Sequence, residues 1–131
     1  MIECVAFMLL NDQKILLEKR RLDKEIDPGL VAIPGGHCMP EETPVEALKR
    51  ELEEETGLTA LETHYICTLV HVTKEIQKVH YFAIEKWKGD ISVNEAENLY
   101  WLELSNIEKL DIPPDKTAIN EYKRIKKTKL W

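Results

Sequence analysis

Thr43-Pro44-Val45-Glu46-Ala47-Leu48-Lys49-Arg50-Glu51-Leu52-Glu53-Glu54-Glu55-Thr56-Gly57 carries every signal of an amphipathic helix with defined ends. Thr43 caps it, Pro44 suits the first helical position, and Glu46 completes a T-x-x-E capping box. Gly57 supplies the C-terminal stop. At about 100° per residue, Glu55 lies about 40° to one side of Glu51 and Glu54 about 60° to the other. Val45, Leu48 and Leu52 form the adjoining apolar stripe, which should face a core, while Lys49 and Glu53 point to water. Three carboxylates thus crowd the border between core and solvent, where like charges at helical spacing repel. A hard divalent cation relieves that repulsion, because carboxylate oxygens are the ligands Mg²⁺ and Mn²⁺ prefer. Arg50, four residues before Glu54, can orient it by an ion pair. Ala47, one turn before Glu51, is expected to leave its spot open.

Working outward, residues 2–10 and 14–20 read as a β-hairpin around Asn11-Asp12-Gln13. Residues 21–28 are a polar loop. The short apolar run 29–33 is stopped by Pro34-Gly35-Gly36. Residues 65–72, 79–87 and 99–104 read as strands. Residues 117–127 form a second helix with Ile119, Tyr122 and Ile125 on its inner face. Strands and helices mix, with local hairpins. That pattern predicts an α/β (α+β) sandwich and not a doubly wound parallel sheet. There is no internal repeat or linker, so residues 1–131 are expected to form a single domain.

The 131 residues carry 18 lysines and arginines against 24 aspartates and glutamates, a formal net charge of −6. An acidic balance argues against a duplex-DNA binder, which needs a basic face. It is compatible with a small phosphorylated substrate bridged to acidic side chains by a metal ion. Cys4, Cys38 and Cys67 form no CxxC pair and are expected to be free thiols in a reducing compartment. The longest apolar run is too short to span a bilayer or serve as a signal segment. A cytoplasmic protein is expected. His37, His64, His71 and His80 show no metal-ligand spacing, and His71 and His80 are expected to face one another across a hairpin. Trp87, Trp101 and Trp131 read as core or edge aromatics.

The pattern Gly36-x5-Glu42-x7-Arg50-Glu51-Leu52-x-Glu54-Glu55-x-Gly57-Leu58 matches the box of the Nudix hydrolase family at every defined position. Ile15-Leu16-Leu17-x-x-Arg20 resembles the family's early strand, and Pro34-Gly35-Gly36-His37 its lead-in to the box. The resemblance implies an α/β/α sandwich with a mixed β-sheet. It also implies divalent-metal-dependent hydrolysis of a nucleoside diphosphate linked to another group, with Mg²⁺ as the ion and Mn²⁺ as a substitute. By the same resemblance, Glu51, Glu54 and Glu55 bind metal with the Gly35 carbonyl. Arg50 orients a catalytic glutamate, Glu42 is auxiliary, and Gly36 lets the chain fold against the helix. A further acidic ligand is expected six residues before Trp101, at Glu95, with Glu97 as its fallback. Glu51 and Glu95 are both candidates for the general base, and Glu54 joins them and Arg50 in the catalytic set.

Ile112-Pro113-Pro114-Asp115-Lys116-Thr117 resembles the approach to the last helix in MutT-like members. That implies a (deoxy)nucleoside triphosphate substrate, oxidised purines such as 8-oxo-dGTP included, split to monophosphate and pyrophosphate. Asp115 is expected to meet the base, to cap the helix, or both. Arg20 is expected to bind a phosphate, for which guanidinium is well shaped, with Gly36 beside it. Val31 and Glu41 stand where the family often has an aromatic residue and a glycine. ADP-ribose or another nucleoside diphosphate sugar is the alternative substrate class. The chain has no proline between Pro44 and Pro113, which counts against it. A non-catalytic nucleotide-sensing domain is the alternative of another class, disfavoured by the intact box. The expected partner is a small nucleotide, with no nucleic acid or membrane, in a monomer or homodimer.

Overall fold

The computed structural model describes residues 1–91 and 98–129. Strand β1 (Ile2–Asn11) is its centre, with seven consecutive buried residues. Such an unbroken apolar run is what a strand covered on both faces requires. Asp12 and Gln13 both take positive φ, +48° and +66°, the backbone of a tight two-residue hairpin turn. They lead into β2 (Lys14–Lys19). The two strands pair only at Leu10↔Ile15 and Asn11↔Lys14. Beyond that point β2 leaves β1 and joins β3 (Val31–Ala32) and β9 (Asn98–Glu103), whose register runs from Lys14↔Glu103 to Lys19↔Asn98. The place vacated beside β1 is taken by β4 (Gly35–His37), through Cys4↔His37, Val5↔Gly36 and Ala6↔Gly35.

On its other side β1 runs parallel to β7 (Ile76–Ile84), which pairs antiparallel with β6 (His64–Val72). The sheet is therefore mixed. A separate small sheet joins β5 (Thr59–Ala60) to β8 (Trp87–Lys88). Helix α1 (Pro44–Thr56) follows β4, and α2 (Pro113–Lys127) closes the described chain. Phe7, Leu9, Leu16 and Ile84 pack on one face with Leu48 and Leu52 of α1. Met8, Leu10, Ile15, Leu17 and Tyr81 pack on the other with Ala118, Ile119 and Tyr122 of α2. The result is the expected α/β/α sandwich.

Several local expectations need correction. α2 begins at Pro113 and not at 117, because prolines are well tolerated in a first helical turn. Its N-cap is Ile112, without a side-chain cap bond, so Asp115 does not cap it. The strand expected at 79–87 is β7, which starts earlier and ends at Ile84. His71 and His80 do not face each other; His71 lies opposite Gln77, and His80 opposite Thr68. The stop at Gly35-Gly36 is a strand, and a short 3-10 helix spans Leu104–Lys109. Trp87 and Trp101 stack at 6.2 Å between ring centroids, as edge aromatics should. Trp131 lies outside the described residues.

Candidate active site

Helix α1 is built as its sequence demands. The Thr43 side chain accepts from Glu46 N at 3.2 Å, Glu46 accepts from Thr43 N at 2.9 Å, and Gly57 ends the helix at φ +81°. Glu51 and Glu55 are buried, 7% and 4% exposed, whereas Glu54 is half exposed. Ala47 is fully buried among Leu48, Leu52 and Phe7, so the open spot expected there is core.

Arg50 is the hub. Its Nη1 donates to Glu51 Oε1 at 2.9 Å and to Glu54 Oε2 at 3.1 Å. Nε and Nη2 form a fork onto Glu42, at 2.7 and 2.8 Å, and Nη2 also donates to the His37 carbonyl at 2.9 Å. One guanidinium thus gathers three carboxylates and the end of β4, a use for which its planar donors are suited. It also holds the Glu42 carboxyl down at about 2, helped by the Met39 N–H.

The two glycines of β4 are required by contact. A Cβ on Gly35 would lie 2.0 Å from the Val5 carbonyl oxygen. One on Gly36 would lie 2.4 Å from the Glu51 carboxyl group. The strand therefore lies directly against β1 and against the acidic face of α1.

Where β2 parts from β1, a cavity of about 260 Å³ opens. Gly35, Gly36, Glu51 and Glu55 line one part of it; Ile33, Tyr81, Ile112 and Asp115 line another. Asp115 is buried, with Oδ2 accepting from Ile33 N at 3.0 Å and Oδ1 from the Tyr81 hydroxyl at 2.7 Å. Burial outweighs these neutral donors and pushes its carboxyl up to about 6. Arg20, also on the lining, donates from Nη1 to Glu18 at 3.1 Å and from Nε to the Ile26 carbonyl at 2.9 Å.

A family model described as the NUDIX domain matches residues 2–124. The chain belongs to the Nudix family. An 8-oxo-dGTP diphosphatase of Buchnera aphidicola subsp. Schizaphis graminum (strain Sg) is 30% identical over 122 residues, 92% of each chain. A CTP pyrophosphohydrolase of Escherichia coli (strain K12) is 33% identical over 102 residues, 77% of this chain and 75% of that one. Among solved structures, a MutT Nudix hydrolase from Burkholderia pseudomallei superposes with a TM-score of 0.82 at 22% identity, covering 92% of this chain and 96% of that one. The protein is a Nudix hydrolase, in a family that generally uses divalent metal ions.

Six residues singled out from the Nudix box and its surroundings line the one cavity: Arg20, Gly35, Gly36, Glu51, Glu55 and Asp115. Arg50 and Glu54 stand beside it, tied to Glu51. Glu95 and Glu97 lie outside the described residues. Among the described residues, no three Asp, Glu, His or Cys side chains are already gathered round one point as ligands. The donor set still fits a hard divalent cation: three carboxylates on one helical face and a backbone carbonyl, with side-chain-free glycine against Glu51.

Sequence inspection missed Glu18 and Tyr81. Glu18 is 3% exposed and lines the cavity. Its signal was present, because an acid two residues from Leu16 shares that residue's buried strand face. Tyr81 gave no such signal; its role arises only where β7 meets α2. No helix among the described residues is long and apolar enough to cross a membrane.

Proposed function

We propose that this Nudix hydrolase splits a (deoxy)nucleoside triphosphate, an oxidised purine such as 8-oxo-dGTP included, to the monophosphate and pyrophosphate. The observation that carries the proposal is a single cavity joining an acidic end, suited to a metal-bound polyphosphate, to a buried carboxylate suited to a base edge. The names of two relatives, an 8-oxo-dGTP diphosphatase and a CTP pyrophosphohydrolase, point to the same substrate class.

In this proposal Glu51, Glu54, Glu55 and the Gly35 carbonyl hold Mg²⁺, or Mn²⁺ in its place, with Glu95 as a further ligand. When bound there, such an ion would supply charge neutralisation for the phosphates and acidify the attacking water. Arg50 keeps Glu51 and Glu54 in register through one shared nitrogen. Glu51 or Glu95 takes the proton of the attacking water. The water oxygen bonds to one phosphorus of the α–β bridge and the bridging P–O bond breaks, so that nucleoside monophosphate and pyrophosphate separate. Arg20 meets a phosphate, Gly36 leaves room for it, and Asp115 accepts a hydrogen bond from the base. One domain, residues 1–131, acting in the cytoplasm as monomer or homodimer, completes the proposal.

The test is hydrolysis in Mg²⁺ by wild type and Glu54→Gln, with products resolved by chromatography. Substrates are 8-oxo-dGTP, normal nucleoside triphosphates, ADP-ribose and a dinucleoside polyphosphate. Monophosphate plus pyrophosphate is expected from a triphosphate, at a rate falling roughly 10²–10⁴-fold in the variant. Turnover of ADP-ribose alone, to AMP and ribose phosphate, would overturn the substrate assignment.

A further inference from the structure

The basic side chains lining the cavity are not equivalent. Arg20 is paired with Glu18 at 3.1 Å and Arg21 with Asp23 at 3.2 Å. His71 meets Asp27 at 2.8 Å and His37 meets Glu75 at 2.5 Å. Lys24 lines the same cavity, is half-buried, and makes no ion pair with any of the described residues. The same cavity is lined by the acids Glu18, Asp27, Glu51, Glu55 and Asp115. A polyphosphate entering such a lining meets carboxylates together with one ammonium that is unpaired among the described residues.

The segment that carries Lys24 is held in place. Arg20 Nε donates to the Ile26 carbonyl at 2.9 Å, and Lys24 N donates to the Arg21 carbonyl at 3.2 Å. Asp27 sits at φ +46°, uncommon for a residue with a side chain, and Leu30 N donates to its carbonyl at 3.3 Å. Its carboxylate reaches His71 on β6, 44 residues away in sequence. A loop fixed in this way loses little freedom when a ligand arrives.

We propose that Lys24 is a substrate-binding residue whose ammonium meets a phosphate oxygen of the nucleotide, delivered by a loop that the Asp27–His71 contact pins beside the cavity. This rests on the triphosphate assignment only for the choice of assay substrate. The contact is electrostatic and forms or breaks no covalent bond, so it acts on binding more than on the chemical step.

The experiment compares Lys24→Met, Lys24→Glu and Lys24→Arg with wild type in Mg²⁺, on the triphosphate wild type hydrolyses fastest. KM is expected to rise roughly tenfold in Lys24→Met, more in Lys24→Glu, with a smaller change in kcat, and Lys24→Arg to recover most of the loss. Calorimetric binding of inorganic tripolyphosphate in Mg²⁺ is expected to weaken by a similar factor. In a His71→Ala background the Lys24→Met effect is expected to shrink, because an unpinned loop no longer presents the ammonium. Unchanged KM and unchanged tripolyphosphate affinity in both Lys24→Met and Lys24→Glu would overturn the proposal, as would a loss confined to kcat. If wild type cleaves ADP-ribose and no triphosphate, the triphosphate assignment fails by itself. The same variants measured on ADP-ribose then decide for or against Lys24.

Discussion

The two parts of the cavity solve the same problem in opposite ways. Each places carboxylates in or near the protein interior. At the acidic face of α1 the answer is a cation: Arg50 binds Glu42, Glu51 and Glu54 together, and Glu42 stays ionised down to about pH 2. At Asp115 the answer is two neutral donors, Ile33 N and the Tyr81 hydroxyl, and the carboxyl is pushed up to about 6. At Asp115 two neutral hydrogen bonds do not offset desolvation, whereas at Glu42 the Arg50 guanidinium more than does. In one region Arg50 keeps Glu42 negative. The other is poised to change charge a little below neutrality.

The sharpest way to break this contrast is at the glycines. Gly36→Ala places a methyl group 2.4 Å from the Glu51 carboxyl group, the movable end of a side chain. The fold is expected to survive while Glu51 is displaced and hydrolysis falls roughly 10²–10⁴-fold. Circular dichroism beside a steady-state assay separates the two effects. Gly35→Ala instead meets the Val5 carbonyl at 2.0 Å, a backbone atom of the central strand. Here the stability itself should fall, by about 3 kcal/mol, read from urea unfolding. Equal behaviour of the two variants would contradict the placement of β4.

Asp115 offers a pH test of the other region. Its folded value of about 6 lies above the ordinary 3.8. The folded protein then holds a proton that the unfolded chain has released. The stability this confers is fully present below pH 3.8 and is lost as pH rises through about 6. Wild-type stability relative to Asp115→Asn is therefore expected to decline between pH 4 and 7, by about 2 kcal/mol. A flat difference would mean that Asp115 stays ionised in the folded state. The smallest effect is expected at the start of α1, where Thr43→Ala removes a capping bond worth about 1 kcal/mol in thermal or urea unfolding.

How far each region could be read from the chain follows the same division. Helix α1, its cap, its stop and the orientation of its glutamates all follow from contacts within one or two turns. Even there Ala47 was misplaced, because a small residue signals a packed core as readily as an open spot. The early start of α2 was missed because the stretch from Ile112 reads as the approach to the helix. In fact its two prolines occupy the first turn, where their missing N–H groups are harmless. His71 was assigned a partner by local symmetry, whereas the register of β6 and β7 gave it Gln77 as neighbour and the loop gave it Asp27.

The sequence by itself determined the acidic helix, the family and the class of reaction, because residues 36–58 hold those features in one contiguous stretch. Only the tertiary structure decided that β2 leaves β1 after two pairings, opening the cavity, and that Ile33, Tyr81 and Asp115 meet there. It likewise decided that Lys24 alone among the basic side chains of the lining has no acidic partner among the described residues. The reason is physical. Capping and helical periodicity act over a few residues and leave their mark in the chain, whereas burial and charge pairing depend on which distant segments share a space.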